Sequence, residues 1–231
     1  MTGSGGADWR WSDEDLLGPV QLSRANVVFA IVLMVVAAVV ILLLRFGDAG
    51  AMFHAHPAPR SLPAPTADRI VYVLYPDFPE PLADEIRNAV AADYGIAGSI
   101  LVVQDGLDPA AYDAGRSQYG AERAIQAMEV TAGSLWTERI VVVGLTSSDL
   151  YIESIDWNWA FALRRNGAAL VSMARMHRAL ELDGGAALMR KMVVRQIGFL
   201  AFHLPATADP GDLMYRDVLS VHDLVAMSDH L

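Results

Sequence analysis

Hydrophobic positions along this chain fall into two regimes. From Val27 to Leu44 every residue is apolar, eighteen in a row with no polar face. From Ile70 onward the apolar residues come in short blocks separated by polar, Gly- or Pro-containing stretches. Residues 70–75, I-V-Y-V-L-Y closed by Pro76, are β-branched and aromatic and predict a strand. Residues 100–103, 140–143 and 168–173 predict three more. Leu82, Ile86, Ala89, Val90 and Tyr94 recur at helical spacing, with Gly95 as the stop. Further helices are predicted over residues 120–128, 186–202 and 217–227. Strands alternating with helices give an α/β (α+β) fold class, a mixed sheet with helices packed against it.

The continuous run calls for a different solvent. Eighteen helical residues span about 27 Å, close to the ~30 Å hydrocarbon core of a bilayer. A core helix would carry a single apolar stripe, whereas this segment is apolar all round. Arg24 and Arg45 bracket it and reach the two interfaces. Asp8, Asp13, Glu14 and Asp15 precede it, which disfavours a cleaved signal peptide. The expected organisation is a polar tail over residues 1–26 and a transmembrane helix over 27–44. A Pro/Ala-rich spacer over 47–66 and a folded domain over 68–231 complete it. The lipid bilayer is thus the first expected partner, with the protein crossing the cell membrane once. Arg10 and Arg24 balance Arg45 and Arg60 in the positive-inside count. The free amino terminus tips the orientation towards N-terminus inside and domain outside. His54 and His56 on the spacer read as solvated residues, because two ligands on a mobile segment make a weak metal site.

Charge and composition narrow the chemistry. The net charge is −10, and the lone lysine, Lys191, stands against sixteen arginines. An acidic chain without a basic stripe excludes nucleic acid as the expected partner. The absence of cysteine excludes disulfides, thiolate metal sites and a cysteine nucleophile. No glycine-rich phosphate turn follows the first strand, and no G-x-S-x-G elbow is present.

Several motifs carry a more specific signal. V-G-L-T-S-S-D-L-Y over residues 143–151 is followed by W-N-W-A-F over 157–161 and A-L-V-S-M-A-R over 169–175. R-S-Q-Y at 116–119 precedes them, and V-R-Q-I-G-F-L-A-F-H-L-P at 194–205 and G-D-L-M-Y at 211–215 follow. In order and spacing these resemble the archaemetzincins, a branch of the metzincin zinc peptidases. The resemblance implies a metzincin-like mixed sheet and places a zinc helix over residues 195–205. In the family pattern H-E-x-x-H-x-x-G-x-x-H, the three histidines fall on Arg195, Phe199 and Pro205. The glutamate falls on Gln196 and the glycine on Phe202. Arginine repels a dication, glutamine is no base, and phenylalanine and proline offer no lone pair. Met214 matches the family's Met-turn methionine. The family's first two structural-zinc cysteines fall on Ala206 and Asp212.

No cofactor and no metal are therefore expected, and no catalytic residue is assigned. Phe199 and Phe202 are expected to fill the former site with apolar bulk. Arg195 is then expected to need an acidic partner from among Asp149, Asp209 and Asp212. His203 and His222 fall short of a three-ligand site, and His177 and His230 read as surface residues. The expected function is a membrane-anchored, catalytically inactive archaemetzincin-like protein that binds a protein or peptide partner. A hydrolase with a non-standard site built from Asp149, Glu153 and Asp156 is the first alternative. The second is a structural membrane component that uses Trp157, Trp159 and Phe161 as a contact surface.

Overall fold

The computed structural model describes residues 61–231 apart from Trp136, Leu180 and Glu181. The polar tail, the expected span from Val27 to Leu44 and most of the spacer lie outside the described residues. Among the described residues no helix is long and apolar enough to cross a membrane.

Strand β1 (Arg69–Leu74) shows how the apolar runs are used. Ile70, Tyr72 and Leu74 enter one buried cluster, and Val73 with the following Tyr75 enters another on the opposite face. A strand covered on both faces reads as an unbroken hydrophobic block, as this one does. Helix α1 (Glu80–Tyr94) opens behind Pro79 and ends at Gly95 in the left-handed region, φ 68°, with its N–H returning to the Ala91 carbonyl. It delivers the chain to β2 (Ala97–Val102), parallel to β1. Short strands β3 (Tyr112–Asp113) and β4 (Gln118–Gly120) precede helix α2 (Ala121–Ala132). Next come β5 (Ile140–Thr146), β6 (Leu150–Ile152), β7 (Trp157–Ala160), β8 (Ala162–Arg165) and β9 (Ala168–Ser172). Helices α3 (Ala174–Ala179), α4 (Leu182–Ala201) and α5 (Val221–Ala226) complete the domain.

The principal sheet has the order β2-β1-β5-β9-β8. Its first four strands are parallel, and β8 runs antiparallel at the edge. Helices α1 and α4 cover one face through Ile86, Val90, Met189, Val193 and Ile197. Helix α2 covers the other through Ala124, Ile125 and Met128. A second sheet, β3-β4-β6-β7, flanks this side. The expected mixed sheet with packed helices is present. The expected last helix over 217–227 shortens to α5, because the Ser220 side chain accepts the Asp223 N–H and starts the helix there.

Gly144 sits on the central strand with no room for a side chain. A Cβ there would lie 2.5 Å from Met128 Sδ and 2.8 Å from Leu170 Cδ1, both fully buried. Gly144→Ala is expected to destabilise the domain by about 1 kcal/mol, measured by chemical unfolding.

Candidate functional site

The edge strand owes its position to a two-residue turn. Asn166 and Gly167 take φ values of 46° and 81°, the left-handed pair that a tight hairpin needs. Arg165 is thereby set opposite Ala168, and the register pairs Ala162 with Val171. Among the described residues the outer rim of β8 has no neighbouring strand. Between that rim and helix α4 lies a cleft of about 690 Å³. Met192, Arg195, Gln196 and Leu200 line it from α4, and Trp157, Trp159 and Phe161 line it from β7 and its end. The three aromatics form a graded wall: Phe161 is buried, Trp159 half-buried and Trp157 42% exposed. Trp159 meets Phe161 edge-on at 5.0 Å.

Every position expected to carry the zinc pattern is visible. Arg195 is 9% exposed and donates from Nη2 to the Tyr215 carbonyl at 2.6 Å. Among the described residues its Nε has no acceptor. Gln196 is 2% exposed; its Nε2 points at Met192 Sδ, 3.1 Å away, and its Oε1 has no donor. The Phe199 ring lies under two guanidiniums, 3.5 Å from that of Arg164 and 4.9 Å from that of Arg195. Pro205 is exposed in the loop beyond α4. Burial disfavours the charge on Arg195 and, together with the neighbouring Arg164 charge, pushes its pKa down to about 10. Burial also lowers that of Arg164.

Two expectations are corrected here. None of Asp149, Asp209 and Asp212 forms an ion pair with Arg195. Asp149 is taken by Arg175, at 2.9 and 2.8 Å, while Asp209 caps the Gly211 N–H and Asp212 accepts from the Met214 N–H. The arginine instead meets a main-chain carbonyl and an aromatic face. Nor does Phe202 fill the position at which the resemblance places zinc. It packs into the main core edge-on to Tyr94 at 6.1 Å, because α4 ends at Ala201 and His203 takes φ 50°. Phe199 is only half-buried, its ring in contact with the guanidiniums of Arg164 and Arg195.

The family-like motifs converge on one polar network behind the cleft. Asp149 accepts both Arg175 bonds and a third from Gln118 Nε2 at 3.2 Å. Gln118 also donates to the Asn158 carbonyl at 2.8 Å, and Arg175 lies 5.9 Å from the Trp159 ring. Of the other acids considered, Glu153 pairs with Arg123 at 2.6 Å and Asp156 with Arg116. Each carboxylate is held by its own arginine, so the three form no acid–base pair aimed at the cleft. His203 lies 3.2 Å from Thr66 Oγ1, and His222 and His230 are exposed. Among the described residues no three His, Cys, Asp or Glu side chains group as a metal site. A fixed cation, an amide, a phenyl ring and a proline do not fit zinc. Met214 is fully buried beneath α4, with its sulfur beside Gly198.

The feature sequence reasoning missed is Arg164 on β8. The Asn166-Gly167 pair, between the apolar block of β9 and the run before it, is the signal that marks the hairpin.

Comparison with solved structures places this architecture. The crystal structure of archaemetzincin from Methanopyrus kandleri superposes with a TM-score of 0.57 at 23% identity, covering 75% of this chain and 92% of that one. A zinc-dependent peptidase from Methanocorpusculum labreanum gives a TM-score of 0.58 at 19% identity, over 70% and 95% of the two chains. Archaemetzincin from Archaeoglobus fulgidus, complexed with malonate, gives 0.56 at 17% identity, over 71% and 94%. No family model matches the sequence, and no curated protein does.

Proposed function

We propose that this chain, which has the fold of an archaemetzincin, is a membrane-anchored and catalytically inactive member of that fold that binds an extended peptide in its cleft. One observation carries the reading. The cleft and its unpaired strand edge are intact, while the four positions that would hold and work with zinc are Arg195, Gln196, Phe199 and Pro205. An extended peptide adds to such an edge through main-chain hydrogen bonds, a mode that needs no metal. The aromatic wall from Trp157 to Phe161 supplies apolar contact area beside it. The apolar run from Val27 to Leu44 supports an anchor, with the domain on the outer side.

Elemental analysis of the purified full-length chain tests the first part. Zinc far below one equivalent is expected, with unstructured peptides left uncleaved. One equivalent of zinc together with cleavage overturns the proposal.

A further inference from the structure

We infer that the cleft selects its peptide by a carboxylate, which an acidic side chain on a segment laid along β8 presents to Arg164 and Arg195. The inference rests on the peptide-binding reading above and specifies what that peptide carries.

Charge is the first support. The chain as a whole carries −10, yet the cleft is lined by Arg164, Arg165, Arg195 and Arg216 and by no Asp or Glu. Two of these are already matched: Arg165 lies 3.9 Å from Glu129 and Arg216 lies 3.0 Å from Asp217. Arg164 and Arg195 form no ion pair with a carboxylate among the described residues, and both guanidiniums lie within 5 Å of the Phe199 ring centre. Two like charges converging on one ring repel, and a single anion between them relieves both.

Hydrogen bonding is the second support. Arg195 is nine-tenths buried and still has an unused Nε donor. A buried donor left unpaired is destabilising by about 1–3 kcal/mol, so such groups commonly find a partner. The guanidinium fork matches a carboxylate in shape and charge, and gives shorter, stronger bonds than it gives to a neutral amide. Gln196, which also lines the cleft from α4, has an unused Oε1 acceptor, which suits an incoming peptide N–H. A fixed guanidinium thus stands where the resemblance places a zinc ligand, and the same end of the cleft attracts an anion.

The test uses the full-length chain in discs of zwitterionic lipid and three pools of unstructured, fluorescently labelled peptides. The pools are randomised in neutral residues and differ in one central Glu, Gln or Lys. The Glu pool is expected to bind at least about ten-fold tighter than the Gln pool, the Lys pool weakest, and the preference to shrink as salt is raised. Arg195→Met is expected to erase the Glu preference. Arg164→Gln, an exposed position whose replacement leaves the core untouched, is expected to reduce it. Equal binding of the Glu and Gln pools, unchanged by either substitution, overturns carboxylate selection and leaves peptide binding standing. Absence of binding by every pool overturns both.

Discussion

Asp149→Ala is expected to lower the stability of the domain by about 2–4 kcal/mol, the largest loss among the substitutions considered. The aspartate is one-tenth exposed and accepts three hydrogen bonds, two from Arg175 and one from Gln118. Removing it strands a guanidinium that is only about one-third exposed, while Gln118 keeps its bond to the Asn158 carbonyl. The network also ties the small sheet to the start of α3, since Gln118 is on β4, Asp149 immediately precedes β6 and Arg175 is in the first turn of α3. The loss should therefore be cooperative across the domain. Urea unfolding followed by tryptophan fluorescence measures it, with Asp149→Asn expected to lose less because it keeps one acceptor. A change below about 0.5 kcal/mol would mean that Arg175 is satisfied without Asp149.

Arg195→Met is expected to act in the opposite direction and raise stability by about 1–2 kcal/mol. The buried arginine's pKa falls to about 10, well below its ordinary value, so folding opposes its charge by at most about 3 kcal/mol. Against that stand the bond to the Tyr215 carbonyl and the contact with Phe199, together worth about 1–2 kcal/mol. The sign of the pH dependence follows from linkage. The charged form is the disfavoured one, so the penalty is complete below pH ~10 and fades above it, as the folded group gives up its proton before the unfolded one does. The variant's advantage should consequently be the same at pH 6 and pH 9 in paired melting curves. An advantage that changed between those values would implicate a different titrating group.

What the sequence disclosed follows from how each element is buried. Strands β1, β5 and β9 lie between two layers, so Val, Ile, Leu and Ala fill both their faces and the runs stand out. The small sheet was not legible because its strands have two to four residues and mix Tyr, Gln, Asn and Trp. Strand β8 was hidden by its two arginines, which suit an edge and obscure the apolar pattern. At the site, the absence of zinc-ligand residue types from positions 195, 199 and 205 was readable directly. The partner of Arg195 was not, because a backbone carbonyl has no sequence signature. Phe202 was misassigned for a related reason: projecting it onto the helix face presumes that α4 continues, and α4 ends one residue before it.

The free rim of β8 has a consequence for self-association. An exposed strand edge is a template on which a second copy could pair, and proteins limit this hazard by placing charge there. Antiparallel pairing of two β8 edges would gather Arg164 and Arg165 from each copy into one cluster of positive charge. The strand is also only four residues long, and the turn at Asn166 and Gly167 closes one end of it. Arg164, which makes the rim receptive to an acidic strand, therefore also acts with Arg165 as a gatekeeper against oligomer growth. Neutralising both would be expected to lower the concentration at which the protein aggregates.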